Sequence, residues 1–448
     1  MINFTKPPSL FLIIIFSAIV WGSEYVNRAL WEPDEARYAY VAKEMKEEGH
    51  WAIPHRHGIP YSHKPPLMFW LIQLSSKLTF NDINRISTRL PSLFGAILAL
   101  WSLSRIAYMW GHGKTAWTAP AILSTTPIFW QTAGMGQIDA LLCGLESAAL
   151  YFMFSAQRTN ERYRRMIAFI LLGMGILAKG PVGLIVPIGI YIAVNLAAAD
   201  VTALKKPYWL WGILLALIFP AVWLIAAWIE GAPASYFKEL LWSQNLERAA
   251  GEWGHIRPFY YYVLQCPVEF LPWTLVLPAS IISMYRRQEA QLFLRKCLVW
   301  ALFVTVFFSI PASKRNLYVI MAYLPLAMII AEANNTPFPS YIPLLISFFY
   351  AMSAVVVIYS RNILSYLEVS TYLIYPILLL VITAVGLLWL YFAPTKRNCW
   401  LIWIICTSLI LEIMISTTVY PQLNNIKTPQ VAATKISKAT NPSQKLIL

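Results

Sequence analysis

The sequence predicts an all-α protein that crosses a membrane many times. Of its 448 residues, 58% are hydrophobic and only 12% are charged, and the mean hydropathy is +0.56. Soluble domains carry roughly 25% charged residues, so this chain lacks the polar surface that water requires. Apolar stretches of about 20 residues, the length of a membrane-spanning helix, recur along the chain. They are continuous and do not alternate, which argues against the strands of a membrane β-barrel.

About 13 apolar segments are long enough to be membrane spans, and the short loops between them predict their orientation. Loops rich in lysine and arginine stay in the cytoplasm, which places the N-terminus inside. The cation-rich loops are residues 105–114, 158–165, 205–206, 286–296 and 396–397. The predicted spans are residues 9–27, 88–108, 116–131, 137–156, 166–178, 181–199, 208–229, 259–284, 297–312, 317–331, 340–359, 370–393 and 399–417.

This orientation predicts one transmembrane domain over residues 1–420. Two outer segments, 28–87 and 230–258, belong to it, and a short flexible outer tail follows at 421–448. The first apolar segment is interpreted as a retained helix because it has no small-x-small cleavage site.

The net charge of +14 is typical of cytoplasmic loops and of sites for anionic lipids or phosphates, so no nucleic-acid partner is expected. The five cysteines form no C-x-x-C pair, so neither disulfides nor a metal site are expected.

The first outer segment contains two predicted amphipathic helices beside the membrane. Pro33 begins the first, and acidic residues follow it, where the helix dipole stabilises negative charge. Apolar residues at spacings of three and four form one face, and Gly49 ends the helix. That face consists of Tyr38, Val41, Ala42 and Met45. The second helix follows a turn and extends to about Leu78. On pattern alone, both could be purely structural interfacial helices.

Titratable and aromatic side chains cluster at the starts of these two helices. A loop that only connects two membrane spans does not need such side chains. They are Asp34, Glu35, Arg37, Tyr61, His63 and Lys64. Ionisable groups also lie at the outer ends of later segments: Asp139, Glu146, Lys179, Arg248, Lys314 and Arg315. Carboxylates inside a membrane are costly and usually line a cavity or pair with a base. A structural ion pair remains an alternative for Asp139 and Glu146, and Lys179 could simply extend its ammonium to the membrane surface.

Several motifs occur in an order that resembles a known enzyme family. They are Glu32-Pro33-Asp34-Glu35-Ala36-Arg37-Tyr38-Ala39, Trp51-x-x-Pro54 and Pro60-Tyr61-x-x-Lys64-Pro65-Pro66-Leu67, followed by Ala178-Lys179-Gly180-Pro181, Asn245-Leu246-Glu247-Arg248 and Lys314-Arg315-Asn316-Leu317-Tyr318. The first three are similar to the first outer loop of ArnT-type aminoarabinose transferases. The chain also resembles the wider protein O-mannosyltransferase-like superfamily of GT-C enzymes.

The resemblance implies a GT-C-type bundle and a transferase that uses a polyprenyl-phosphate sugar donor. It implies that Asp34 is the essential carboxylate, with Asp139 as a second catalytic group, and that Lys64 and Arg248 contact the donor phosphate. The complete set of expected substrate-binding residues is Glu35, Arg37, Tyr61, Lys64, Lys179, Arg248, Lys314, Arg315 and Tyr318. One position departs from the family, because His63 stands where an acidic residue often precedes the lysine.

The charges alone indicate a related chemistry. Cations at one outer face could surround a lipid phosphate, and negative charge grows on that phosphate when the sugar C1–O bond breaks. Fixed cations stabilise this charge more in the transition state than in the ground state. Asp34 could act as a general base for a hydroxyl acceptor, or could orient the sugar if the acceptor is already a phosphate. No Walker motif and no H-E-x-x-H motif occurs, so no cofactor and no metal are expected.

The leading hypothesis is transfer of a pentose or hexose, such as 4-amino-4-deoxy-L-arabinose or mannose, from the lipid donor to a lipid A-like, glycan or protein acceptor. The reaction would take place at the periplasmic face of a bacterial inner membrane. A transporter or flippase of lipid-linked saccharides is one alternative, although transporters place ionisable groups near the midplane. A non-catalytic paralogue is another, because 448 residues is short for ArnT-like enzymes.

Overall fold

The computed structural model is a bundle of helices, as the sequence predicts. It describes residues 15, 21–31, 33–111, 113–205, 208–247, 256–335, 339, 341–364, 374–392 and 399–428. Among these residues, eight helices are long and apolar enough to cross a membrane, or up to nine if one bent pair counts as a span. The predicted number of about 13 is not confirmed, because that prediction also counted shorter apolar stretches. Residues 9–20, part of the first predicted span, lie almost entirely outside the described residues.

The helices are α1 Asp34–Glu48, α2 Leu67–Ser76, α3 Arg85–Trp110, α4 Thr115–Ser124, α5 Pro127–Gly134, α6 Ile138–Thr159, α7 Arg162–Lys179, α8 Val182–Ala197, α9 Tyr208–Ile229, α10 Ala234–Lys238, α11 Tyr261–Glu269, α12 Leu277–Tyr285, α13 Gln291–Ser309, α14 Ile320–Ala333, α15 Ile342–Leu364, α16 Ile374–Phe392, α17 Trp400–Met414 and α18 Tyr420–Lys427. Residues 21–27 are also helical. A π-helix covers Glu239–Glu247, and a 3₁₀ turn at Asn316–Val319 precedes α14. Strands β1 His55–Arg56 and β2 Ile59–Pro60 pair antiparallel between α1 and α2.

Two of the predicted spans are broken helices. The segment predicted at 116–131 divides into α4 and α5 at Thr126, whose backbone is extended. The residue before a proline disfavours the helical conformation, and Pro127 follows Thr126. The segment predicted at 259–284 bends by 107° between α11 and the helical stretch that ends with α12. Pro272 lies at that break and cannot donate a backbone hydrogen bond.

Helix α1 is amphipathic, and its apolar face is covered by protein. Tyr38, Val41, Ala42 and Met45 are each at most 4% exposed. The ring of Tyr38 lies 6.0 Å from that of Phe69 in α2, and the start of α6 joins the same apolar cluster. The sequence interpretation expected this face to lie on the membrane surface, but α1 and α2 bury it against α6. This packing brings the start of α1 close to the start of α6.

Helix α18 extends through Lys427, inside the tail predicted at 421–448. The side chain of Asn424 accepts hydrogen bonds from the Ala29 amide at 2.9 Å and from the Trp31 indole at 3.0 Å. It donates to the carbonyl of Asn27 at 3.0 Å. The beginning of the predicted tail therefore packs against the entrance to the first outer segment. Residues 429–448 lie outside the described residues.

Helices α3 and α6 approach each other closely at two glycines. A Cβ atom added at Gly95 would lie 2.4 Å from the Ala140 carbonyl oxygen. One added at Gly144 would lie 2.3 Å from the Gly95 carbonyl oxygen. Membrane helices associate through such small residues because the lipid provides no hydrophobic force that brings them together. Since α6 begins at Ile138, this contact fixes the position of Asp139 relative to α3.

Gly144→Ala should destabilise the protein by about 1–3 kcal/mol, because the added methyl group overlaps the α3 backbone and cannot rotate away. Thermal unfolding of the detergent-purified protein measures the change as a lower Tm. Gly22→Ala is the matched control, since an added Cβ there meets nothing within 4 Å. Alanine favours the helical conformation more than glycine does, so the Tm of Gly22→Ala should equal that of the wild type or be slightly higher. Equal Tm values for the two variants would contradict the close packing of α3 and α6.

Candidate functional site

An ion pair joins the first outer segment to the loop before α14. Nη2 of Arg315 lies 2.7 Å from Oδ2 of Asp34. Asp34 is the first residue of α1, where the positive end of the helix dipole favours a carboxylate. Its exposed fraction is only 8%. Two residues that the sequence analysis selected from distant parts of the chain are therefore in direct contact.

A second ion pair lies next to the first. Nζ of Lys179, the last residue of α7, lies 2.5 Å from Oδ1 of Asp139 at the start of α6. The same ammonium group lies 4.3 Å from the centre of the Tyr318 ring, in a cation–π contact. Arg315 and Lys64 are also within electrostatic range of the Asp139 carboxylate. Five of the predicted site residues thus form one charged cluster, and Asp34 joins it through Arg315.

A cavity of about 300 Å³ opens beside this cluster. Lys64, Lys179 and His63 supply its charged or titratable lining, and Tyr318 lines it as well. Most of the remaining wall is apolar, formed by Ile176, Val182, Pro220, Trp223, Leu224, Leu240, Phe307 and Phe308. A cavity with cations at one part and a long apolar wall suits an amphiphile with an anionic head group. Its apolar part can hold a hydrocarbon chain.

Tyr61 connects the cavity to the Asp34 pair. Its ring stacks on that of His63 with 5.0 Å between ring centres, and Tyr61 is only 5% exposed. Burial raises the pKa of the Tyr61 hydroxyl, so this group stays protonated near neutral pH. The half-buried Arg37 interacts with Tyr61, and Asp34 is within electrostatic range of both. Nε2 of His63 in turn lies 3.5 Å from the carboxylate of Glu239.

Glu35 lies behind the site in a buried ion cluster. Its Oε1 is 2.6 Å from Nε of Arg89 and 3.2 Å from Nη2 of Arg28. The same carboxylate accepts hydrogen bonds from the backbone amides of Gly136 at 2.9 Å and Trp31 at 3.0 Å. Burial alone would raise the pKa of Glu35, but Arg28 and Arg89 hold it below its ordinary value. Glu35 is among the substrate-binding residues predicted from the sequence, whereas its position indicates that it anchors the start of α1.

Lys314 is also an anchor in this structure. Its Nζ donates to the carbonyl oxygens of Arg257 at 3.0 Å and Pro311 at 2.5 Å, and the residue is only 3% exposed. An isolated antiparallel bridge between Ile256 and Ser313 holds the same loop. The sequence analysis placed Lys314 among the substrate-binding residues. Because its ammonium group is directed to the backbone, it instead holds the loop that presents the next residue, Arg315.

Arg248 and Glu146 are the remaining ionisable residues predicted at the outer ends of the spans. Arg248, expected to contact the donor phosphate, lies outside the described residues. Glu146 is 3% exposed and lies deeper in α6, with Asp139 and Lys179 within electrostatic range. Within the described part of the chain, no three His, Cys, Asp or Glu side chains form a group that could hold a metal ion.

The sequence analysis did not identify Arg28 and Arg89 as parts of the site's support. Both are 0% exposed, and Arg89 lies inside a predicted span. An arginine within a membrane span is costly and almost always has a partner. Applied to residue 89, that rule would have indicated a buried carboxylate nearby. The apolar wall had no comparable signal, because Trp223 and Phe307 lie in spans where many residues are apolar.

The chain is similar to a family of lipid-phosphate sugar transferases. Residues 63–226 match the family described as dolichyl-phosphate-mannose-protein mannosyltransferase. The undecaprenyl phosphate-alpha-4-amino-4-deoxy-L-arabinose arabinosyl transferase 2 of Proteus mirabilis (strain HI4320) is 28% identical over 331 residues, which are 72% of this chain and 58% of that protein. The corresponding transferase of Pectobacterium carotovorum subsp. carotovorum (strain PC1) is 28% identical over 331 residues, 71% of this chain and 58% of that protein. The chain thus spans less than two thirds of these relatives.

Among solved structures, the fold is similar to that of ArnT from Cupriavidus metallidurans. The crystal structure of that protein bound to undecaprenyl phosphate has a TM-score of 0.78 at 19% sequence identity, over 97% of this chain and 81% of that one. Its apo state has a TM-score of 0.80 at 19% identity over the same shares. This similarity confirms the GT-C-type fold that the sequence predicted.

Glu35→Gln should destabilise the protein by about 3–5 kcal/mol, because Arg89 would remain buried without a paired carboxylate and Arg28 would keep only the carboxylate of Glu24, 3.7 Å away. Glu47→Gln is the matched control, since its pair with Lys43 is 3.8 Å long and exposed and should contribute little. The pKa of Glu35 is lowered on folding, so its contribution should persist from about pH 7 to about pH 5 and decline only in more acidic solution. Thermal unfolding measured from about pH 7 down to below pH 5 tests both effects. An equal Tm for the two variants would contradict the anchoring role.

Proposed function

We propose that this chain, an ArnT-like protein with the GT-C-type fold, is a glycosyltransferase that uses a polyprenyl-phosphate sugar donor. The observation that supports the proposal most is the cavity in which Lys64 and Lys179 adjoin a long apolar wall, next to Asp34 and Asp139. The apolar wall suits the isoprenoid chain of the donor, and the lysines suit its phosphate. The relatives described above, which are named for an undecaprenyl phosphate sugar, support undecaprenyl phosphate as the lipid.

The two lysines would stabilise the phosphate that leaves. As the sugar C1–O bond breaks, its electron pair stays on the phosphate oxygen, and the negative charge there increases. Lys179 is held in place by Asp139 and by the Tyr318 ring, so it needs little rearrangement during the reaction. Preorganised charges of this kind lower a barrier more than mobile ones do. Tyr318 also lines the cavity, where it can contact the donor.

Donor binding would also change the partner of Arg315. In the free protein the guanidinium group is paired with Asp34 at 2.7 Å. A phosphate competes for it, because guanidinium groups bind phosphate oxygens bidentately. Asp34 would then be released next to the sugar. It could take the proton of an acceptor hydroxyl, or, if the acceptor is already a phosphate, orient the sugar without any proton transfer.

The sugar we propose is 4-amino-4-deoxy-L-arabinose, and the acceptor is a lipid A-like phosphate on the periplasmic side of a bacterial inner membrane. The names of the curated relatives support this sugar over mannose, and the family model described by mannose covers residues 63–226 only. The chemistry is compatible as well, because the carboxylates of Asp34 and Asp139 attract a protonated amino sugar. Arg37 and Tyr61 lie near Asp34 and would complete the polar contacts to the sugar.

A flippase of lipid-linked saccharides is the alternative function. Transporters bind their substrate near the membrane midplane, between two similar halves. Here Asp139 lies in the first turn of α6 and Lys179 ends α7, so the charged cluster lies at one end of both helices. This placement favours chemistry at one membrane face over passage through the bilayer.

Asp34→Asn should reduce sugar transfer by about 10²- to 10⁴-fold, because the carboxylate that acts on the sugar or the acceptor is lost. The assay uses the purified full chain in lipid vesicles with undecaprenyl-phosphate aminoarabinose and lipid A, and mass spectrometry detects the product. Asp82→Asn makes the same charge change at an exposed position of the same outer segment and should keep wild-type transfer. Full transfer by Asp34→Asn would remove Asp34 from the mechanism.

The acceptor is identified by a separate measurement. Mass spectrometry of lipid A, glycans and glycoproteins from cells with and without the gene should show aminoarabinose lost from lipid A alone. Loss of a sugar from a glycan or a protein instead would still support a transferase but would contradict lipid A as its acceptor. Unchanged composition of all three, together with altered transport of the lipid-linked sugar across vesicle membranes, would favour the flippase.

A further inference from the structure

A second cavity lies at the other end of the helices that form the candidate site. Its volume is about 390 Å³, and it is bounded by the ends of α3, α6 and α8 and the start of α13. Helix α6 connects the two sites, from Asp139 at the candidate site to Arg158 at this cavity. At a rise of 1.5 Å per residue, this separation along the helix is roughly 28 Å. The two cavities are therefore distinct sites near opposite membrane faces.

Two cations line this second cavity. Nζ of Lys296 lies 5.1 Å from the centre of the Trp110 ring, and Nη1 of Arg158 donates to the carbonyl of Met109 at 2.6 Å. The two positive charges are within electrostatic range of each other and repel. Across the residues that the structure describes, no carboxylate lies within 4.0 Å of either cation. An anion bound between them would relieve this repulsion.

A hydrogen-bond network makes the polar wall of the cavity rigid. The side-chain amide of Gln157 donates to Asn195 at 2.7 Å and to Asp200 at 2.6 Å, and it accepts from the Tyr191 hydroxyl at 3.1 Å. The second carboxylate oxygen of Asp200 accepts from Thr202 at 2.6 Å. Both oxygens of Asp200 thus have hydrogen-bond donors of their own. The cavity keeps one excess positive charge when Lys296, Arg158 and Asp200 are counted together.

The cavity lies at the ends of long apolar helices, which is the level at which a bilayer carries its lipid phosphates. Further arginines and lysines belong to the cation-rich loops of the same face: Arg105, Arg162, Arg164, Arg165, Lys205 and Arg286. The excess of these cations predicts the cytoplasmic side, and the cytoplasmic leaflet contains anionic lipids. Basic pockets between membrane helices on this side bind phosphate head groups. Met109 and Phe154 form an apolar floor that suits the glycerol end of a lipid.

We propose that this second cavity binds the phosphate of an anionic phospholipid from the cytoplasmic leaflet. Lys296 and Arg158 are the residues that contact the phosphate oxygens, and Trp110 packs beside the head group. Bound there, the lipid joins α3, α6, α8 and α13 at the end opposite to the candidate site and stabilises the folded protein. Free phosphate has the same anionic chemistry as the lipid phosphate, so the experiment separates the two sources.

The test measures the Tm of the full-length protein in neutral detergent with added phosphatidylglycerol, phosphatidylcholine or inorganic phosphate. A ligand that binds only the folded state raises Tm, so phosphatidylglycerol should raise it more than phosphatidylcholine does. The double variant Lys296→Gln/Arg158→Gln should weaken the apparent affinity for phosphatidylglycerol about tenfold. The control Arg162→Gln/Arg286→Gln removes two exposed cations of the same face outside the cavity and should respond like the wild type.

Equal responses of the two double variants would overturn the site, and so would a wild type that does not prefer phosphatidylglycerol. A rise in Tm with inorganic phosphate that disappears in Lys296→Gln/Arg158→Gln would support the site but assign it to a soluble phosphate. If the double variant does not fold, Asp200→Asn provides a second test. This variant removes the negative charge beside the two cations, so it should bind phosphatidylglycerol several-fold more strongly. Weaker binding would contradict the proposal.

Discussion

The ion pair between Arg315 and Asp34 is the contact on which the arrangement of the candidate site depends. It connects the first outer segment to the loop before α14, and the neighbouring pair of Asp139 with Lys179 connects α6 to α7. An isolated charge in such a poorly hydrated place would be very costly, but each carboxylate here offsets a cation. The cations are therefore held at one end of the bundle, next to the cavity. An incoming phosphate can replace a carboxylate as the partner of a cation that is already in position.

The residues that support these pairs are more deeply buried than the pairs themselves. Glu35 accepts hydrogen bonds from four residues and is 3% exposed, and Lys314 is fixed by two backbone carbonyls. The close contact of Gly95 and Gly144 sets the distance between α3 and α6. The residues that do not face the cavity thus fix the backbone, while the exchangeable pairs lie where a substrate can reach them. This division of roles explains why adjacent residues have such different surroundings.

Much of the fold could be predicted from the sequence, because the long membrane-spanning helices follow from hydropathy, although the number of spans does not. Helix α9 covers the predicted residues 208–229, whereas the breaks at Thr126 and Pro272 were missed because apolar composition continues across them. Asp34 and Glu35 could not be told apart, since adjacent residues of a helix point about 100° from each other. Only the packed structure shows that Asp34 pairs with Arg315, whereas Glu35 pairs with the buried Arg28 and Arg89. The same ambiguity affects Lys314 and Arg315, while the structure brings Lys64, Lys179 and Tyr318 together at one cavity.

The central claim is that Lys64 and Lys179 bind a lipid phosphate whose chain lies on the apolar wall. Direct binding of undecaprenyl phosphate to the purified protein, measured by native mass spectrometry, tests it without any assumption about sugar or acceptor. The variant Lys64→Gln/Lys179→Gln should bind this lipid at least about tenfold more weakly than the wild type. The control Lys43→Gln/Lys77→Gln removes two exposed lysines of the first outer segment and should bind it normally. Equal affinity of both variants for undecaprenyl phosphate would contradict the account.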